Sequence, residues 1–390
     1  MSRFLYARWW LYCLAILFVS GCDVSATGPR QPVYSLAVSS DGKYVLSAHG
    51  DRSLLLWNLD ARNYRLISRN ANIYSAGFVR GRPVFIWQDL DRVVHVNSID
   101  GTELKSWVLK RDSYGHLLAP DLETYVYSDE GYGIHVRQGA RERTIKQSDP
   151  GTFLGTGKIF NLDLSPDGRT LLSAGDCSPY FGTAESYRPE VQAQRGFIGY
   201  ECLILWDIQA LKPIAKLPGN IAKTHATFSP DGRYVVSGDE NGHLIFWDIN
   251  RKRRIAKGAS LFHGILRRVS DTGNLDKDLQ WDKTGLIKAP HDYHGERIIS
   301  VKFIGKEYFL RIASEELYAI LYSIDSPLPL KYLDLGTRPF PATRDYSRNT
   351  AIDTAPAAGI LVMGQAAGPG INVYKYDKAT QTLKRIWVAR

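Results

Sequence analysis

Three groups of side chains in this 390-residue chain could do chemistry. His291, Asp292, His294 and Glu296 crowd into the stretch HDYHGE. Imidazoles and carboxylates are zinc-type ligands, but a metal needs three or four of them converging with ordered support. This group falls in a loop-like stretch, so it reads as a solvated polar loop and no metal is assigned. Asp163, His225, Lys302 and Asp353 offer an acid, an imidazole and an amine, the components of general acid–base work if a fold gathers them. Such groups also pair with one another or with water. Four cysteines, Cys13, Cys22, Cys177 and Cys202, complete the set. None of them reads as a nucleophile, and neither a Gly-rich phosphate loop nor a haem-attachment motif is present. The expectation is therefore a protein without enzymatic activity, cofactor or metal.

The elements that must position these groups begin with an unusual N-terminus. Arg3 and Arg8 precede WWLYCLAILFV, an apolar run from Trp9 to Val19. A bilayer-spanning helix needs about 20 apolar residues. A basic start, a short apolar core and small residues after it match an export signal, the alternative being a retained anchor helix. Val19-Ser20-Gly21-Cys22 then resembles a bacterial lipoprotein signal, an aliphatic residue and two small ones before a cysteine. The resemblance implies a thioether-linked lipid on Cys22 and cleavage before it. Each buried methylene of such a chain contributes about 0.8 kcal/mol to membrane binding. Asp23 implies retention at the inner membrane. Residues 1–21 are thus expected to be a signal peptide, 22–32 a lipidated tether, and the remainder to lie on the periplasmic face.

The formal charge of +9 falls to +7 without Arg3 and Arg8. An exported chain rarely meets nucleic acid, so anionic lipid headgroups or an acidic partner fit the basic excess better. The densest cluster, Arg251-Lys252-Arg253-Arg254, reads as a solvated turn.

Three segments repeat: VYSLAVSSDGKYVLSAHGDRSLLLWNL from Val33, FNLDLSPDGRTLLSAGD from Phe160 and KTHATFSPDGRYVVSGDENGHLIFWDI from Lys223. Each joins two alternating apolar runs through Asp-Gly, a strong hairpin signal. A period near 40 with several short strands per unit means a propeller. SSDG at 39–42, SPDG at 165–168 and 229–232, and the Trp-Asp pairs at 206–207 and 247–248 resemble the WD40 repeat family. That resemblance implies a ring of four-stranded blades presenting surfaces to other proteins. The Gly-His dipeptide that usually opens a repeat is missing. Of the hydrogen-bonding tetrad usual in the family, only Ser47, Asp51 and Trp57 occur together.

Weaker units at 73–109, 115–147, 299–335 and 350–389 bring the count to seven, with Tyr322 and Tyr374 at the tryptophan position. The expected fold is all-β, a seven-bladed WD40-like β-propeller over 33–390, preceded by the cleaved signal peptide. The last unit owns four strands and the first begins on an inner one. A shared closing blade is therefore not expected, and closure should rest on packing between first and last blades. In the inner strands, Leu36, Ala76, His116, Leu162, Ala226, Val301 and Ile352 should face the seams between blades. The alternate positions, among them Ser35, Asn161, Asp163, His225, Thr227, Lys302 and Asp353, should face the channel.

Two insertions interrupt the repeats, at 178–201 within the fourth unit and at 258–296 between the fifth and sixth. Strand direction alone sends both to one face. Aligned on the fifth unit, Cys177 and Cys202 flank a tight hairpin, so a Cys177–Cys202 disulfide is expected. In the loop-entropy model that closure contributes roughly 3 kcal/mol. The first insertion carries Tyr180, Phe181, Tyr187, Arg188, Phe197 and Tyr200, residue types that anchor interfaces. Two functions fit: a membrane-tethered scaffold docking an envelope protein on that face, or a propeller holding a small ligand, cofactor or metal in its channel.

Overall fold

A computed structural model describes residues 31–111, 113, 115–129, 133–145, 159–175, 203–217, 220, 223–240, 242, 244–249, 253–254, 298–313, 317–336, 351–365 and 368–389. These residues form seven antiparallel four-stranded sheets. Each sheet is made of four consecutive strands, so the blades run 33–68, 71–108, 115–145, 159–216, 224–254, 298–334 and 352–389. The seven units read from the sequence are the seven blades. Among the described residues no blade borrows a strand from the other end of the chain, as expected.

The strand sequences explain the ring. Blade centres are apolar on both sides of the pleat because each blade is sandwiched between two others. Along the second strand of blade one, Val45 belongs to an apolar cluster shared with blade seven, and the next residue, Leu46, to a cluster shared with blade two. The period-2 pleat thus feeds neighbouring side chains to opposite seams. Seven such clusters exist, one per seam. The seam closing the ring sets Val33, Leu36, Val38 and Trp57 against Ala355, Ile360, Val362 and Val373. Closure rests on this packing together with a hydrogen bond described below.

The Ser-Asp-Gly turns between first and second strands repeat atom for atom. Ser39 Oγ donates to Asp41 Oδ1 at 2.6 Å and accepts the Tyr44 N–H at 2.9 Å. Ser165 and Asp167 do the same, with Thr170 at 2.9 Å, as do Ser229 and Asp231 with Tyr234. The glycine ending each turn has two duties. Gly42 and Gly232 both sit at φ +73°, where L side chains are strained. A Cβ on Gly42 would lie 2.6 Å from the Ala358 Cβ of blade seven, and one on Gly232 would lie 2.9 Å from Pro166 of blade four. These two turns therefore also shingle blade one onto blade seven and blade five onto blade four.

The tetrad expectation needs correction. Trp57 Nε1 donates to Ser47 Oγ at 2.7 Å, and Ser47 Oγ bonds His49 Nε2 at 2.8 Å. The imidazole comes from the same strand as the serine, not from a dipeptide opening the repeat. Burial holds His49 down to about 4, although the Gln31 carbonyl and Asp51 act in the opposite direction. Blade five has its own version: Ser237 Oγ donates to Asn220 Oδ1 at 2.6 Å and Asn220 Nδ2 to Asp239 Oδ2 at 3.4 Å. In blade two the ladder places Asn97 where Trp57 stands in blade one, and Trp87 on the adjacent strand donates to Asn97 Oδ1 at 3.0 Å. The indole hydrogen bond survives with donor and acceptor exchanged between strands.

Candidate functional site

The first strands of the blades surround a central cavity of about 420 Å³. Each is the inner edge of its sheet, so half of its backbone N–H and C=O groups face away from the ladder and need partners. Side chains of neighbouring blades supply several. Asp353 of blade seven accepts the Val38 N–H of blade one on Oδ2 at 2.9 Å. Asp163 of blade four occupies the same position and accepts the Phe228 N–H of blade five on Oδ2, also at 2.9 Å. Asn161 Oδ1 accepts the Ala226 N–H at 2.9 Å, and Thr354 Oγ1 donates to the Phe303 carbonyl at 2.8 Å.

The four polar residues singled out in the sequence do line one cavity. Lys302 Nζ stands 2.9 Å from Asp353 Oδ1. Burial works to lower the Lys302 pKa, but the Asp353 carboxylate beside it outweighs that and raises it, so the ammonium is charged. Burial pushes His225 down to about 4, helped by the nearby Lys302 and Lys223 ammonium groups, so its imidazole is neutral at pH 7. Asp163 is fully engaged: Oδ1 meets Arg80 Nη2 at 3.3 Å and the Leu164 N–H at 2.9 Å, while Oδ2 accepts Thr227 Oγ1 and the Phe228 N–H. A carboxylate committed to four donors is a structural clamp, not a free base.

Arg80 was missed by the sequence reading, because it lies in a turn and not in an inner-strand column. A signal existed. Arg80 aligns with Ser40, Pro120, Pro166 and Pro230, the second residue of the Ser-Pro-Asp-Gly turn, and is the only cation among those five. From there its side chain reaches past blade three to Asp163 of blade four.

Strand directions give the ring two distinct faces. Turns between first and second strands, including Ser39–Gly42 and Arg80, open on one, the turn face. Links between second and third strands and between blades open on the other, the link face. Gly175 and Leu203, which flank the first insertion, lie at second-to-third strand ends of blade four; Arg254 and Ile298, which flank the second, end blade five and begin blade six. The chain enters its first inner strand at Val33 on the same face. Cys22, Cys177 and Cys202, the interface candidates Tyr180, Phe181, Tyr187, Arg188, Phe197 and Tyr200, and the polar group His291, Asp292, His294 and Glu296 lie outside the described residues. Among the described residues no group of three or more His, Cys, Asp or Glu side chains could hold a metal ion.

The basic excess has a location. Among the described side chains, the outermost strands carry eight Lys and Arg against three acids. Charged rims discourage edge-to-edge strand pairing between molecules, so the exposed rim that also bears Tyr64, Leu66, Tyr332 and Ile386 is protected against aggregation.

Comparison with known proteins agrees with this geometry. The family model described as "WD domain, G-beta repeat" matches residues 20–58 and 211–248. Transcription initiation factor TFIID subunit 5 of Caenorhabditis elegans is 23% identical over 239 residues, which is 61% of this chain and 26% of that protein. The chain thus spans about a quarter of that relative's length. The crystal structure of the Myceliophteria thermophila Cps50 (Swd1) beta-propeller domain superposes with a TM-score of 0.60 at 10% identity, covering 89% of this chain and 97% of that one.

Proposed function

The chain is a seven-bladed β-propeller of the WD40-repeat family, and on that premise we propose that it is a non-catalytic scaffold, tethered to a bacterial membrane through Cys22, that docks an envelope protein on its link face. One observation carries this reading: the strand ends flanking both insertions, and the entry of the chain into blade one, all open on that face. A tether of about eleven residues reaches at most roughly 35–40 Å, so the link face stays near the bilayer, where an integral envelope protein would meet it. The insertion at 178–201, pinched at its base by a Cys177–Cys202 disulfide, supplies Tyr180, Phe181, Tyr187, Arg188, Phe197 and Tyr200, large side chains of the kind that dominate interface energetics. The Caenorhabditis elegans relative is named as a subunit of a larger factor, which fits an assembly role for the shared repeats and carries no implication of transcription for this chain.

The absence of a role in catalysis is part of the reading. Asp163 and Asp353 are bound to backbone amides of the next blade, and His225 is neutral with its pKa far below 7. The test is deletion of residues 179–200 in the full chain. The variant should fold, and crosslinking capture of the partner from membranes should be lost; undiminished capture would reject the docking surface.

A further inference from the structure

We propose that the turn-face mouth of the channel is a binding site for a small oxyanion, a phosphate or carboxylate group, held by Arg80 and Lys302. This goes beyond the scaffold reading and does not depend on it. The site lies at the opposite end of the channel from the link face, because Arg80 sits in a first-to-second strand turn and Asp163 and Lys302 come one residue before the ends of their inner strands.

The formal charges at this mouth balance, two cations against two carboxylates, but the hydrogen-bonding capacity does not. Asp163 has four donors and Asp353 has two, three of these six being backbone N–H groups and the others Arg80, Lys302 and Thr227. The unspent groups are mainly donors. Arg80 Nη1 is buried and has no partner among the described residues. A buried guanidinium N–H without a partner is unfavourable, and a ligand oxygen would supply the missing bond. Among the described residues Lys302 spends one of its three ammonium protons, on Asp353. The two cations are close enough to act on one another, since Arg80 and Asp163 both influence the Lys302 ammonium. His225 lines the same cavity and is neutral, but it lies two residues before Thr227 on its inner strand and so deeper in the channel than Asp163 and Lys302.

A small oxyanion answers each of these features. Its oxygens accept from the guanidinium edge and the ammonium, charge-assisted bonds of the stronger kind. A cation would find carboxylates already occupied, and an apolar ligand would leave the buried Nη1 unsatisfied. The cavity of about 420 Å³ accommodates a phosphate or a small dicarboxylate together with water.

Inorganic phosphate and succinate would be titrated separately into the full chain, with sodium chloride at matched ionic strength as the control. Calorimetry and the thermal midpoint provide the readouts. A saturable response to phosphate, to succinate or to both, absent with chloride, is expected, and the responding arm identifies the class of headgroup. Arg80→Gln should weaken binding at least about tenfold. Should Arg80→Gln fail to fold, Arg80→Lys keeps a cation beside Asp163 but lacks the second guanidinium nitrogen, and it should weaken binding in the same direction. No saturable response in either arm, or affinity unchanged in the folded Arg80 variant, would overturn the site.

Discussion

Asp353 on the last blade accepts the backbone N–H of Val38 on the first at 2.9 Å, and Asp163 makes the equivalent bond to Phe228 between blades four and five at the same distance. One side-chain type in one strand position therefore serves both at the seam where the chain ends meet and at an internal seam. Asp353→Ala should cost roughly 2–3 kcal/mol, because it orphans the Val38 amide and leaves Lys302 without its partner. Amide hydrogen exchange separates the two clamps. Exchange at Val38 should accelerate in Asp353→Ala and not in Asp163→Ala, with the reverse pattern at Phe228.

Stability should depend on pH in a window set by histidines. His49 and His225 both titrate near 4 in the folded protein against an ordinary value of 6.5. Between those values the unfolded chain binds more protons than the folded one, so their contribution is complete above about 6.5 and is lost as pH falls toward 4. For His49, which is fully buried, the loss is on the order of 3 kcal/mol. Urea midpoints measured from pH 7 to pH 4 should fall steadily, and the slope should flatten in His49→Gln. A midpoint independent of pH over that range would contradict the burial of a neutral imidazole behind Ser47 and Trp57.

Two glycines with nearly the same backbone angle should respond differently to alanine. Gly42 lies at φ +73° with a neighbouring Cβ 2.6 Å from where its own would be; Gly81 lies at φ +70° with nothing within 4 Å. Gly81→Ala meets only backbone strain, about 1 kcal/mol. Gly42→Ala meets that strain and a clash with Ala358 across the closing seam, and thermal denaturation should show at least about twice the loss.

The cysteines make separable predictions. Cys22→Ser should abolish incorporation of labelled fatty acid into the chain and, because cleavage follows lipidation, leave residues 1–21 attached, with the melting temperature unchanged. Mass analysis of unreduced proteolytic peptides should find Cys177 linked to Cys202, and reduction should lower stability by roughly 3 kcal/mol.

The fold was legible because the propeller advertises itself locally. Asp-Gly turns mark hairpins, and the fixed spacing from Gly42 to Trp57 and from Gly232 to Trp247 marks the repeat. Even the degenerate third blade, with neither an Asp-Gly turn nor a tryptophan at the third-strand position, kept its alternation. The inner-strand columns were legible for the same reason, since the pleat sends every second residue to the channel. What stayed hidden depends on tertiary reach. Arg80 acts on a blade two places away, and only its cationic character at a turn position set it apart. The His49 and Asn220 hydrogen bonds were hidden because the acceptor or donor opposite the recurring serine of the second strand can come from several chain positions once the blade is folded.

The proposed docking surface is tested most directly by site-specific photo-crosslinking in intact membranes, with the photoreactive residue placed either at Tyr187 in the first insertion or at Asp41 on the turn face. The account predicts a discrete adduct from position 187 and none from position 41. An adduct from position 41 alone, or none from position 187 in a membrane-localised and folded chain, would contradict it.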